Sequence, residues 1–302
     1  MSNMTKQEAR HLAIELLTAP TQRDAQAKIG ASNLSGGCDH CLAANLMGDS
    51  RDTPQTSRAY LGATLGTSIH ATFETRAEVL EWFGKRYPDA QIEQRRILGV
   101  LGTYGEIGTT PDLVIDGDVF DWKSSTRKKT ALLRDFLLSQ GLDRVGQQPY
   151  GRTHKDVKLS EREYAAEMEK QAYKVSGYYS QVQLYIKVCR DAGQPVTRGT
   201  LTFVNRDGTG WFDNPAATDY DNEARMQDVW SLQFDWNEAY ADAVWARGLR
   251  IWQQLEAGAT PDDFPSHECC FPCSLDRESL ARAEKETAVP EEVSIVKIGR
   301  AA

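Results

Sequence analysis

The chain reads as an α/β protein built on one short mixed sheet with helices packed against it. Apolar residues recur at helical spacing up to about residue 83 and again after about residue 130. Between them, residues 91–123 alternate apolar with polar and carry turn signals, the signature of strands. The run Arg198–Val204, lying between two helical stretches, supplies a strand from much further along the chain.

Taken in order, the first 20 residues have helical spacing (Ala9, Leu12, Ile14, Leu16, Leu17) and stop at Pro20. A second short helix is expected from Ser32, as N-cap, through Leu42 and Leu46. A long helix follows from Ser57 to Phe83, punctuated by Gly84. The Asp116–Gly117 pair between two β-type runs is a hairpin signal, so Pro111–Lys123 reads as two antiparallel strands preceded by at least one more. Helical character returns at Leu132–Leu138 and over Ser160–Arg190. A last helix is expected over Ala216–Ala257, with Trp230, Phe234, Trp245, Leu249 and Trp252 as core packing. The expected organisation is a helical segment over 1–56, a core over 57–215, a helix and cysteine segment over 216–273, and a charged tail over 274–302.

A net charge of −8 over 302 residues argues against a uniformly basic, nonspecific nucleic-acid coat. It leaves room for a local basic track, and lysine and arginine cluster at Arg95–Arg96 and at Lys123, Arg127, Lys128 and Lys129. By themselves such runs are usually solvated surface. No stretch approaches the ~20 apolar residues of a membrane span, and the polar N-terminus has no signal-peptide apolar region, so the expected location is the cytoplasm. Of the six cysteines, five fall in two groups, Cys38 with Cys41 and Cys269, Cys270 with Cys273, which in a reducing compartment read as metal ligands. Cys189 stands apart and is expected in the core.

The chemistry concentrates at Pro111-Asp112 and Asp121-Trp122-Lys123. A turn at 116–117 brings Asp112 beside Asp121, and Asp121 shares a strand face with Lys123, two residues on. Two carboxylates so close call for a hard divalent cation, Mg²⁺ or Mn²⁺. Pro-Asp recurs at Pro88–Asp89 and Pro261–Asp262, and Asp-x-Lys at Asp156–Lys158, but only at 111–123 do both halves lie on one hairpin. Gly66, His70 and Glu74 share one helix face at i, i+4, i+8, which lets the helix approach a sheet and His70 reach the same cation. Gln181 and Tyr185 present an amide and a phenol on one face of a later helix, groups suited to phosphate or sugar contacts.

In this order, GTSIH (66–70), TPD (110–112), DWK (121–123) and QVQLY (181–185) resemble the RecB-like and Cas4-like branch of the PD-(D/E)XK nucleases. The resemblance spans about residues 32–273 and implies a restriction-endonuclease-like core. It implies that His70, Asp112 and Asp121 bind Mn²⁺ or Mg²⁺, that Lys123 assists the attacking water, and that Gln181 and Tyr185 support DNA binding. Glu93, on the strand before the hairpin, matches loosely as an auxiliary acid. The activity implied is a DNA exonuclease, on single-stranded or free ends, 5′→3′, with recombination or helicase proteins as partners and no membrane. Phage recombination, host repair and spacer acquisition are all compatible with it. The chain has no G-x-x-x-x-G-K-[ST] phosphate loop, so any ATP-driven unwinding comes from elsewhere.

Some members of that family hold a [4Fe–4S] cluster on one cysteine before the core and three after it. The arrangement here, two before and three tightly spaced after, departs from that pattern, so the ligands are four of Cys38, Cys41, Cys269, Cys270 and Cys273. The resemblance favours the cluster. Zinc is the alternative, for which Cys38/Cys41 with Cys270/Cys273 make the natural set. His40 and His267 flank the cysteines as lesser candidates. Two other readings stay open: a non-catalytic DNA-binding or assembly module that keeps the fold, and a recombination exonuclease of the phage lambda kind.

Overall fold

The computed structural model describes residues 29–48, 66, 68, 71–72, 75, 81–126, 129–130, 132–133, 136–137, 160–205, 229–270 and 273. The expected helix over 1–20, His70, Glu74, Arg127, Lys128 and the tail over 274–302 lie outside the described residues.

The fold is mixed α/β, with a mixed sheet flanked by helices. In chain order the elements are α1 (Ala31–Ser35), α2 (Asp39–Leu46), α3 (Glu81–Arg86), β1 (Gln91–Ile92), β2 (Arg96–Leu101), β3 (Gly105–Thr109), β4 (Leu113–Ile115), β5 (Asp118–Ser125), α4 (Glu161–Asp191), β6 (Arg198–Asn205), β7 (Val229–Asp235) and α5 (Glu238–Glu256). The five-stranded sheet runs β1-β4-β5-β6-β7, with β5 and β6 parallel and the other neighbours antiparallel. β2 and β3 pair as a separate hairpin. A parallel pair needs a long crossover, and here that connection carries α4 back across the sheet. No described helix is long and apolar enough to cross a membrane.

The hairpin forms as the sequence predicts. Asp116 and Gly117 both have positive φ (47° and 80°), the requirement of a two-residue turn that matches strand twist. β4 and β5 pair Leu113 with Phe120, Val114 with Val119 and Ile115 with Asp118. Arg198 then ties β6 to β5 at their paired first residues, its Nε donating to Asp118 Oδ1 at 2.7 Å.

Four expectations are corrected. The helix expected from Ser32 is two helices, because Gly36 and Gly37 (φ 71°) break it; Gly30 is the N-cap of the first and Cys38 of the second. Gly84 lies inside α3, which runs on to Arg86. Glu93 is not on a strand: it follows β1 in a left-handed conformation (φ 43°), with its N–H donating to the Asp112 carbonyl. The helix expected over 216–257 is, over its described residues 229–257, a strand followed by a helix. Residues 229–235 pair along β6, whose open edge rewards a strand there, and Asn237 caps α5 through its side chain.

α4 lies across the sheet and needs a strand without side-chain bulk beneath it. At Gly199 on β6, an added Cβ would meet Val182 Cγ1 at 2.0 Å. Val182, Leu184, Ile186, Leu201 and Phe203 are all buried in the resulting core. Gln183 is fully buried and joins two elements: its Nε2 donates to the Asp235 carbonyl and its Oε1 accepts from Asn237 N–H, both at 2.8 Å. α5 packs Trp245 over Gly99 and Trp252 over Gly102, the core role expected of these tryptophans. Gly199→Ala is therefore expected to destabilise the fold by about 1–3 kcal/mol, the usual range for overpacking, measured as a lower urea midpoint at unchanged m-value.

Candidate active site and cysteine centre

Extending the β4–β5 register by one residue sets Asp112 across from Asp121. Both acids are buried, and Asp112 Oδ2 accepts from Trp122 N–H at 2.6 Å. Strand alternation puts Asp121 and Lys123 on the face covered by α4. There Lys123 Nζ lies 2.7 Å from Asp121 Oδ2 and donates to Gln181 Oε1 at 3.1 Å. Gln181 Nε2 in turn donates to the Tyr185 hydroxyl at 2.6 Å. The two carboxylates and the ammonium expected from sequence are thus brought together.

Gln181 and Tyr185 are placed otherwise than expected. Both are buried, and their polar groups turn towards Lys123 and each other. Burial, reinforced by the charge of Asp121, holds the Tyr185 phenol far above its usual range, so it stays neutral. The Lys123 ammonium, a donor only, fixes the Gln181 Oε1 towards itself and leaves Nε2 to donate to the phenol. The turn of helix bearing Gly66 approaches β5, as a Cβ there would stand 3.8 Å from Ser124 Cβ. That brings Gly66 to the strand end beside Lys123, whereas His70 itself is outside the described residues.

Sequence reasoning missed Tyr178 and Lys174, although helical spacing back from Gln181 points to both. Tyr178 packs edge-on against Phe203 at 5.6 Å and lies under two ammoniums, with Lys123 Nζ and Lys174 Nζ at 5.8 and 5.5 Å from its ring centre. Burial, then the charge of Asp121, pushes its phenol up.

The cysteine groups also converge. Cys38, Cys41, Cys270 and Cys273 are buried, and their sulfurs all lie within 4.8 Å of one another. Cys38 to Cys273 is 3.4 Å, Cys41 to Cys273 is 3.2 Å and Cys41 to Cys270 is 3.5 Å. Such a set could hold a metal. Thiol hydrogen bonds, first from Cys270, favour a thiolate at Cys38 and disfavour one at Cys41. Cys269 is the one left out: it is half-buried and its N–H donates to His267 Nδ1. Adjacent residues face apart here, so only one of the neighbouring pair enters the group. His40 Nδ1 is 3.8 Å from Cys273 Sγ, while His267 stacks on Tyr173. Cys189 is a separate core thiol, pushed up to about 11 by burial.

The loop carrying Cys38 is held by Arg247 of α5, which donates to Asp39 Oδ1 (2.6 Å) and to the carbonyls of Leu34 (3.0 Å) and Gly37 (3.1 Å). Gly37 combines positive φ with close packing, since a Cβ there would lie 3.4 Å from Cys41 Cβ.

No protein-family model matches the chain, and no curated protein matches it. Among solved structures it is similar to an alkaline exonuclease (LHK-Exo) from Laribacter hongkongensis, with 11% identity, a TM-score of 0.39, and coverage of 91% of this chain and 100% of that one. The same enzyme in complex with dAMP gives 12% identity and a TM-score of 0.32, covering 86% and 95%. SSO0001 gives 13% identity and a TM-score of 0.36, covering 86% and 90%.

Replacing Arg247 by Met keeps its apolar stem and removes three hydrogen bonds. The expected cost is about 2–3 kcal/mol, read by urea denaturation, with faster amide exchange across residues 34–41.

Proposed function

We propose that this protein is a divalent-metal-dependent deoxyribonuclease of the PD-(D/E)XK class, of the RecB-like and Cas4-like kind, acting exonucleolytically on single-stranded ends in the 5′→3′ sense. The observation that carries the reading is the meeting of Asp112, Asp121 and Lys123, with Lys123 held in turn by Gln181.

Asp112 and Asp121, with His70, would hold Mn²⁺ or Mg²⁺. Two buried acids on neighbouring strands fit a hard dication, whose charge offsets the cost of burying them. The ion, when bound, supplies an acidified water and a polarised phosphoryl oxygen. Lys123 Nζ, fixed by Asp121 on one side and the Gln181 amide on the other, donates its remaining hydrogen towards the attacking water or the phosphate oxygen. It thereby offsets charge that grows as the phosphorus is attacked. Gln181 and Tyr185 act through Lys123 and are positioning residues. Glu93, its backbone bonded to Asp112, remains the auxiliary acid.

The cysteine centre is a staple between residues 229 apart, Cys41 and Cys270, and closes the chain's early and late segments on each other. The resemblance implies a [4Fe–4S] cluster, and the close sulfur spacing favours the alternative, a single zinc ion. A cluster takes one thiolate on each of four irons and spreads the sulfurs beyond the reach of a single ion. Four thiolates around one zinc ion stand about 3.8 Å apart, from Zn–S bonds of about 2.3 Å. Three sulfur contacts of 3.2–3.5 Å, with all four sulfurs within 4.8 Å of one another, support a single zinc ion on Cys38, Cys41, Cys270 and Cys273.

End-labelled single-stranded and duplex DNA, incubated with Mn²⁺, Mg²⁺ or EDTA, tests the activity. Cleavage is expected only with a dication and is expected to fall at least ~1,000-fold in Asp121→Ala. Gln181→Ala is expected to lower kcat about 10–100-fold with DNA affinity unchanged. Wild-type protein that binds DNA and never cuts it would replace this reading by the non-catalytic binding module.

Metal analysis of anaerobically purified protein tests the staple. One zinc per chain without acid-labile sulfide is expected, retained in Cys269→Ser and lost in Cys270→Ser. Four irons with matching sulfide would restore the cluster.

A further inference from the structure

His40 is a buried polar residue among the cysteines. It sits on α2 between Cys38 and Cys41 and is 8% exposed. A buried imidazole needs hydrogen-bond partners, a cost that an apolar side chain at the same place would not carry. The two ring nitrogens find them in the stretch after α5. Nδ1 lies 3.8 Å from Cys273 Sγ, within reach of a hydrogen bond to sulfur, and Nε2 lies 3.5 Å from Asp262 Oδ1.

The same stretch also holds the backbone of His40, whose N–H donates to the Pro265 carbonyl at 3.3 Å. Asp262 is itself fixed in place. It belongs to the 3₁₀ turn Pro261–Asp263, which Asp263 closes by accepting from Thr260 N–H and Oγ1 at 2.7 and 2.9 Å. The Asp262 carboxylate is 91% exposed, so it orients the ring more than it adds stability. At the other edge of the ring, Cys273 Sγ stands 3.4 Å from Cys38 Sγ and 3.2 Å from Cys41 Sγ. Four thiolates around one dication leave negative charge uncompensated in a buried place, and sulfurs this close feel it strongly. An N–H directed at a thiolate offsets part of that charge. The ring nitrogens fall outside the group whose ligand atoms all lie within 4.8 Å of one another, so His40 stands behind a sulfur and does not replace one.

We infer that His40 is an outer-sphere partner of the metal: its Nδ1–H donates to the Cys273 thiolate, and Asp262 holds the ring in that orientation. This rests on the reading of the tetrad as a single-ion site and adds to it a residue that sets one ligand in position. Metal sites commonly use a carboxylate to steady a histidine ligand. Here the carboxylate steadies a histidine, and the histidine steadies a sulfur ligand. His40 touches no metal and acts through Cys273, so it is a positioning residue. It also ties the early cysteine pair to the late one, since a side chain lying between Cys38 and Cys41 serves Cys273.

Cobalt(II) is the probe, because its thiolate charge-transfer absorption reports the sulfur ligands directly and needs no DNA cleavage. Full-length protein is loaded with Co²⁺ anaerobically, its near-ultraviolet band is recorded, and the ion is competed away with a chelator of known affinity. His40→Leu is expected to hold Co²⁺ about 10-fold more weakly, the lower end for loss of an outer-sphere partner. Its charge-transfer band is expected at longer wavelength, since a thiolate without its N–H donor gives electron density to the metal at lower energy. His40→Asn offers an amide N–H near the place of Nδ1–H and is expected to restore both affinity and band. If His40→Leu matches wild type in affinity and band, the outer-sphere role is overturned and the single-ion site stands. Weaker binding with an unmoved band, or with no rescue by asparagine, also overturns the role, because a packing defect would behave that way. Wild-type protein that shows no thiolate–cobalt band would overturn the role and the single-ion reading together.

Discussion

The turn at Asp116–Gly117 sets the register on which the whole site depends. Two consecutive residues with positive φ match the twist of the flanking strands and allow one pairing, Leu113 with Phe120 and its neighbours. A slip of one residue would send Asp121 and Lys123 to the opposite face and leave Asp112 facing a different partner. With the register held, Asp112 and Asp121 are both buried on neighbouring strands and the ammonium of Lys123 lies against Asp121. The Arg198–Asp118 pair fixes the next strand in the same register.

α4 organises what the hairpin presents. Over its 31 residues one face delivers Lys174, Tyr178, Gln181 and Tyr185 to the sheet. Tyr173, next to Lys174, turns the other way and packs against the cysteine group. Its closeness to the sheet depends on Gly199 beneath Val182, and its closeness to the α1 segment on Gly177, where a Cβ would stand 3.6 Å from the Ser35 carbonyl. Both contacts use the absence of a side chain to bring backbone near. One rigid helix thus places the candidate active site and the cysteine centre relative to each other.

The cysteine group solves a problem of chain closure. Cys38 and Cys41 come from a bent helical segment, Cys270 and Cys273 from the stretch after α5, and Arg247 of α5 bonds the bend itself. A metal on four thiolates would convert this approach into a crosslink, removing freedom from the unfolded chain in the way a long-loop disulfide does.

Much of this was legible from sequence because it is local. The Asp-Gly turn, the spacing of Asp121 to Lys123, the Ser160 start of α4 and the two C-x-x-C pairs each depend on neighbours a few residues away. Tertiary structure decided the rest. The strand at 229–235 exists because β6 offers an edge to it, against helical expectation. Cys270 rather than Cys269 enters the tetrad because of how the chain arrives after α5. Gln181 and Tyr185 turn inward because Lys123 lies beneath them, and Lys174 comes to lie over the Tyr178 ring. Periodicity assigns each residue to a face of its own element, but which element covers that face is settled only when segments distant in sequence pack together.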